Sequence, residues 1–407
     1  MWDLIIVGGG AAGLWAAGTA AARGRRVLVL EKNNKPGVKI LMSGGTRCNI
    51  THHCGIQGIM DAFGRQGRFL KPALYELPPS AVVEEFHRLG VETKVEDTGK
   101  VFPVSDRAID VRDALLRRLN AAGAELRSGV AVVDVARTED GAWQVVTHEE
   151  TLPTSKVLLC CGGLSYAACG TTGDGYAWAR QAGHTVERTF PALTPLLSPA
   201  TWVHELTGIT LPSVEAKVVV EGERNKDPRL LSRGGFLWTH FGCSGPVPMN
   251  VSRHVAALAQ PQHATLIVDL IPDETEEQVL QRLTQAGKRG IGSILNSWIP
   301  KSLSIKLLER AQIIDTTTCS ELPRKARLSL IEDLKRLRVP LSGTRGYAKA
   351  EVTAGGVSTK EVNPQTMESR CAPGLFLAGE ILDVDGPIGG FNFQAAFSTG
   401  HLAGLNV

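Results

Sequence analysis

The sequence predicts an α/β fold: a Rossmann-like dinucleotide-binding domain interrupted by an inserted β-rich domain with a small helical subdomain. Three observations predict it. Residues 4–31 read strand, G-x-G-x-x-G, helix, strand, acid. A second strand followed by a Gly-Gly turn and a helix-like run closes the chain. Glycine is also abundant, 44 in 407 residues against an average of roughly 7%. The windows 8–45, 162–175 and 355–390 hold 9, 5 and 7 of those glycines, so the excess is concentrated where backbone must approach a ligand without side chains.

Leu4 to Val7 is a short apolar β-branched run, the pattern of a strand buried on both faces of a parallel sheet. Gly8, Gly10 and Gly13 supply a tight turn, a close approach to a pyrophosphate and a close helix–strand contact. The Ala-rich segment to Ala22 has high helix propensity, and its N-terminus presents unpaired N–H groups to phosphate. Arg26 to Leu30 is the second strand. Glu31 follows it at the distance expected of a ribose-binding acid, and its charge disfavours a 2′-phosphate. Lys32 to Ile50 is a polar loop whose Gly44-Gly45 pair stands beside Arg47, Cys48 and Asn49. Such a loop suits a flavin enzyme, where N–H groups approach the isoalloxazine and a nearby cation balances the reduced ring.

Gly129 to Val135 and Val157 to Cys161 read as further strands, the latter running into Gly162-Gly163. Pro191, Pro195 and Pro199 mark a crossover into the insert. There, Val214 to Val220 and Thr265 to Leu270 read as strands, and Asp273 to Gln285, Ile294 to Leu308 and Lys325 to Leu337 as helices. The expected organisation is 1–190 with 350–407 for the dinucleotide domain, 191–272 with 322–349 for the β-rich insert, and 273–321 for the helical subdomain. Gly374 to Ala378 returns as a buried strand, Gly379-Glu380 follows, and Gly389-Gly390 precedes the helix beginning at Phe391.

Composition narrows the function. A formal charge of +3 supplies no general field for nucleic acid or anionic membrane. Basic clusters such as Arg324-Lys325-Arg327 read as solvated helix faces, so no nucleic-acid partner is expected. The eight cysteines contain no CxxC and no Cys/His set at zinc spacing, so neither a metal site nor a disulfide framework is expected, and free thiols point to a reducing, cytoplasmic setting. Leu4 to Ala22 is uncharged, but five glycines interrupt it and no positive n-region precedes it. It reads as part of a domain, with no membrane role.

The chain resembles the BaiN-like family of bacterial NAD(P)/FAD-dependent oxidoreductases, which includes an aminoacetone oxidase branch. The resemblance runs nearly end to end. It rests on Ser43 to Asn49 (SGGTRCN), Cys161-Gly162-Gly163 with Gly170 to Tyr176, Thr239 to Pro246 (THFGCSGP), Ala350 to Val357, Thr366 to Ser369, and Gly379 to Gln394 (GEILDVDGPIGGFNFQ). It implies a two-dinucleotide-binding-motif FAD domain with non-covalent FAD. Thr46 departs from the family's usual glycine, and Cys160 and Cys161 from its usual Ala or Thr.

The resemblance implies FAD contacts at Gly8, Gly10, Ala12, Gly13, Glu31, Lys32, Lys39, Ser43, Gly44, Gly45, Arg47, Cys48, Asn49, Cys161, Gly162 and Gly163. It also implies an adenine contact from the backbone of Val132, a ribityl contact from Glu380 after Gly379, and N–H groups of Gly390, Phe391 and Asn392 facing the flavin pyrimidine beside Gly389. No second G-x-G-x-x-G unit is present, so NAD(P)H would dock transiently.

The implied reaction is hydride transfer between flavin and a small organic substrate, for example reduction of an activated C=C bond, with NAD(P)H as donor. His240, Tyr166 and Arg345 are the candidate catalytic residues, expected in a crevice between the FAD domain and the insert. Three alternatives stand beside it. One is an O2-using amine oxidase. Another is a non-catalytic or RNA-associated flavin protein. The third is a disulfide reductase using Cys48 and Cys54, whose five intervening residues break the usual spacing of four.

Overall fold

The computed structural model describes residues 1–139, 141–222 and 227–407. The chain forms two compact units, Met1–Pro191 with Glu351–Val407, and Ala192–Ala350.

The first unit is built on a seven-stranded sheet in the order Glu125–Ser128, Val27–Glu31, Trp2–Val7, Thr151–Leu159, Trp143–Thr147 and Val132–Arg137, with Leu375–Leu377 also paired to Thr151–Leu159. The strands from Glu125–Ser128 to Thr151–Leu159 pair in parallel, as does Leu375–Leu377, while 132–159 forms an antiparallel meander. In the registers of the first strand, Val7 lies opposite both Leu30 and Leu159, so the chain turns that follow these residues emerge at one end of the sheet. That end is where a doubly wound sheet binds ligands.

Leu4, Ile5 and Ile6 are wholly buried, as a central parallel strand requires. The helix Ala11–Ala22 is buried over ten of its residues, because the C-terminal helix Phe391–Asn406 covers the face that the sheet does not. Small residues permit that contact: a Cβ on Gly400 would stand 2.4 Å from Ala12 O, and one on Gly404 2.7 Å from Ala16 O. The strand expected to end at Cys161 stops at Leu159, so Cys160 to Gly163 already belongs to the turn.

The second unit has its own antiparallel sheet, ordered Leu337–Pro340, Ala264–Asp269, Thr210–Val220, Leu231–Thr239, Gly242–Ser244, Leu196–Leu197 and Gly343–Thr344. Its longest strand carries a bulge between Leu211 and Val214, where Pro212 can give no ladder hydrogen bond. Helix Glu276–Gln285 starts at a capping box in which Thr275 and Gln278 exchange side-chain and backbone bonds. The single helix expected over 294–308 is instead two, Ile291–Leu295 and Lys301–Arg310. Pro300 disfavours helical geometry at the residue before it and starts the second helix as its N-cap. These helices share one buried cluster with the sheet. Among the described residues, no helix is long and apolar enough to cross a membrane.

Candidate functional site

The first turn is shaped by backbone contacts. Gly8 has φ +108°, and a Cβ there would lie 2.5 Å from Cys160 O, so only glycine is accommodated. A Cβ on Gly13 would lie 2.0 Å from Gly8 O, which explains how the helix starts so close to the strand. Gly10 is different: a Cβ there meets nothing within 4 Å. It is the N-cap of Ala11–Ala22 and has no side-chain cap. Open space in front of an uncapped helix N-terminus is what a pyrophosphate needs.

Glu31 is 8% exposed and firmly held. Its Oε2 accepts the Gly9 N–H at 2.8 Å, and its Oε1 accepts the Asn33 backbone and side-chain N–H groups at 2.8 Å each. The carboxylate is thus held in place before any ribose arrives. Lys32 donates to Thr172 Oγ1 and Asp174 Oδ2 at 2.5 and 2.6 Å. Val132 opens its strand opposite Thr147, while the neighbouring Gly129 and Val130 N–H groups bond to the Asn33 and Glu31 carbonyls.

A second hub forms around Glu380, in the turn after Leu375–Leu377. Its Oε1 accepts the Ser165 hydroxyl at 2.7 Å and the Thr353 N–H at 3.0 Å, and its Oε2 pairs with Lys39 Nζ. Lys39 also donates to Ser165 Oγ at 2.8 Å. Thr353 Oγ1 accepts the Leu164 and Ser165 N–H groups, and a Cβ on Gly163 would fall 2.4 Å from that hydroxyl. Four separate segments therefore meet at one partly buried ion pair. Sequence reasoning named Lys39, Gly163 and Glu380 but missed Ser165 and Thr353. The available signal was that Thr353 lies inside the block 350–357 and Ser165 two residues after the block Cys161-Gly162-Gly163. Tyr166 follows Ser165 at φ 54°, and burial, then the charges of Glu351 and Cys169, push its phenol up. Burial likewise pushes the Glu351 carboxyl up against the opposing charges of Lys39 and Lys100.

In the polar loop, Ser43 donates to Ile40 O at 2.8 Å, and Gly44, Gly45, Thr46 and Cys48 all have φ between 56° and 70°. A Cβ on Gly45 meets nothing within 4 Å. Arg47 corrects one expectation. Its guanidinium faces Glu96 at 2.7 Å and Asp106 at 3.4 Å and lies over the Phe102 ring at 4.0 Å, so its charge is already balanced within the protein and is not the spare cation foreseen. Cys48 is buried, and burial pushes its thiol up to about 12. With Cys54 also free, burial leaves Cys48 a poor thiolate at neutral pH, which weighs against the disulfide-reductase reading. Cys161 is equally inert, its thiol pushed up to about 12 by burial.

The C-terminal helix meets this loop at Gly389-Gly390. With its amide oriented to satisfy both neighbours, Asn49 accepts the Gly390 N–H and donates to Thr51 O, each at 3.0 Å. The Gly390 N–H is therefore engaged, and the donors expected to face a flavin pyrimidine reduce to those from Phe391 onward, where the helix has no side-chain cap. The Asn392 side chain is also occupied: it bonds reciprocally with the Gly386 backbone at 2.8 and 2.9 Å. His52, which the sequence did not single out, stacks on Phe391 with centroids 4.6 Å apart and sets Nδ1 3.0 Å from Gly389 O.

The remaining candidates lie in the second unit. Arg345 sits over the Phe241 ring at 4.5 Å, and His240 meets the same ring edge-on at 4.9 Å. The structure thus brings His240 and Arg345 together around Phe241, on the exposed turn after Leu231–Thr239.

The open N-cap at Gly10, the anchored acid at Glu31, the Lys39–Glu380 hub and the uncapped helix at Phe391 fit a flavin dinucleotide from adenosine to ring. They define a Rossmann-type FAD-dependent oxidoreductase. The chain belongs to the HI0933-like family: the family model for the HI0933-like protein Rossmann domain matches residues 2–406. It is 33% identical to the 3-dehydro-bile acid delta(4,6)-reductase of Clostridium scindens, over 98% of this chain and 97% of that one. It is also 33% identical to the ribosomal RNA dihydrouridine synthase of Escherichia coli, over 98% and 96%. Its fold is similar to that of 3-ketosteroid delta1-dehydrogenase from Sterolibacterium denitrificans, with a TM-score of 0.53 at 14% identity, over 99% of this chain and 98% of that one.

Proposed function

We propose that this chain is an FAD-dependent reductase of a ring C=C bond conjugated to a carbonyl, with NAD(P)H as electron donor. The observation that carries this reading is the pair of full-length relatives at equal identity. A delta(4,6)-reductase of a 3-dehydro steroid and a dihydrouridine synthase both add hydrogen to such a bond. Bound FAD supplies the hydride chemistry. The protein's own residues hold the dinucleotide through Gly10, Glu31, Lys39 and Glu380. Tyr166, whose raised phenol keeps its proton at neutral pH, is the group beside the Lys39–Glu380 hub able to supply the proton that completes the addition. Eight free cysteines suit a reducing, cytoplasmic compartment.

A specific observation favours RNA as the carrier of the unsaturated ring. Residues 192–350 hold 20 Lys and Arg against 15 Asp and Glu, whereas the rest of the chain holds 24 against 26. The positive surplus belongs to the insert, and such a surplus favours a phosphate-bearing substrate. Anaerobic titration with NADH and with NADPH is expected to bleach the flavin band with at least one of them. The reduced protein is then mixed with unmodified ribosomal RNA or with a 3-oxo-4-ene steroid, and mass spectrometry scores the gain of two hydrogens. Hydrogen peroxide released from aminoacetone-like amines, with no reduction of either substrate, would replace the proposal by the amine-oxidase reading.

A further inference from the structure

We propose that His184, Glu361 and Cys371 form a binding site for a zinc-type divalent cation in the first unit, on segments that carry none of the dinucleotide-binding residues. One nitrogen, one carboxylate oxygen and one sulfur lie within 4.8 Å of one another. Tetrahedral ligands at zinc distances of about 2.0–2.3 Å stand roughly 3.3–3.8 Å apart. His184 Nδ1 and Glu361 Oε2 already meet that spacing at 3.4 Å, so closure requires a shift of about 1 Å in the sulfur.

The second observation is the imidazole itself. The His184 side chain is 0% exposed, and its Nδ1 makes no hydrogen bond although it points at the cluster. A cation held between this nitrogen and Glu361 would satisfy both. The outer shell for such a ligand is in place: Nε2 lies 2.7 Å from Ser369 Oγ, a contact that fixes the orientation of the ring. The same Ser369 oxygen accepts the Cys371 and Ala372 N–H groups at 3.0 and 2.9 Å, fixing the backbone of the sulfur ligand. Glu361 is held by the Thr185 N–H and hydroxyl at 2.7 and 2.8 Å. Cys371 is exposed, which gives the ion an entry path and leaves a fourth position for water. Occupation releases the thiol proton.

The test uses the full-length holoprotein after chelator treatment. One equivalent of Co2+ is expected to give tetrahedral d–d bands at longer wavelength than flavin absorption, and Zn2+ to abolish them. Zn2+ should also slow the fast phase of thiol labelling, since Cys371 is the exposed cysteine of the eight. Ser369→Ala is expected to weaken zinc affinity about ten- to hundredfold, and Glu361→Gln to weaken it as well. Cys371→Ser, a change at an exposed position, should remove the bands while the flavin spectrum shows that the fold persists. Absence of tetrahedral bands with unchanged thiol labelling overturns the site. So do bands that survive Cys371→Ser.

Discussion

Thr46 sits at φ 70°, a conformation that costs a β-branched residue about 1–3 kcal/mol. Its hydroxyl bonds to the adjacent Gly45 O and its side chain is exposed, while its carbonyl accepts the Ala108 N–H, a bond that glycine keeps, so the side chain does not repay the strain. Thr46→Gly is expected to stabilise the protein by about 1 kcal/mol after allowing for the added freedom of the unfolded chain, read as a rise in thermal midpoint. An unchanged midpoint would mean that the loop relaxes instead. Glu380 shows the opposite situation, with its carboxylate receiving Ser165, Thr353 and Lys39 together. Glu380→Gln leaves Lys39 without its counter-charge, at a cost of about 1–3 kcal/mol. FAD retention should fall about tenfold or more, measured as the ratio of flavin to protein absorbance after dialysis. The acids were legible because each stands at a fixed distance from a glycine motif. Ser165 and Thr353 were not, because their roles exist only once residues 188 positions apart are brought together. The neutralisation of Arg47 by Glu96 and Asp106 was hidden for the same reason.

At the scale of elements, two glycines in one turn separate folding from binding. Gly13 packs its helix against Gly8 O, where a Cβ would intrude to 2.0 Å. Gly13→Ala is therefore expected to destabilise the apoprotein by about 2–4 kcal/mol, through a displaced helix. Gly10→Ala meets open space and should leave apoprotein stability within about 0.5 kcal/mol. It should nevertheless lower FAD affinity strongly, because the added methyl occupies the approach of the pyrophosphate. Apoprotein melting and FAD titration of the two variants separate these effects; equal losses of apoprotein stability would contradict the assignment. Strands such as 4–7 and 265–270 were readable as short apolar runs that the fold buries, and 214–220 because its burial largely alternates along the chain. The break after Leu295 follows from Pro300, and the stop at Leu159 follows from the need of Cys160 and the glycines after it to turn.

For the whole molecule, net charge concealed more than it revealed: a sum of +3 merges a basic insert with a slightly acidic nucleotide unit. Titration divides between the units too. His401 in the first unit and His254 in the second are each pushed down to about 4, chiefly by burial and then by the nearby charges of Arg118 and Arg253 respectively. Each therefore folds as neutral imidazole, whereas the unfolded chain takes up the proton near pH 6.5. Between about pH 6.5 and 4 the unfolded state binds more protons, so stability is full above that window and declines as pH falls through it. The linkage amounts to at most about 3 kcal/mol per histidine. His401 Nδ1 lies 3.4 Å from Trp15 Nε1 and 3.1 Å from Thr19 Oγ1, contacts that a neutral amide can partly reproduce. The thermal midpoint of the native protein is thus expected to drop on acidification from pH 7 to 5. His401→Asn should start lower but fall less steeply, since one of the proton-uptake sites is gone. A slope identical to that of the native protein would show that His401 is already solvated in the folded state and that the acid sensitivity resides elsewhere.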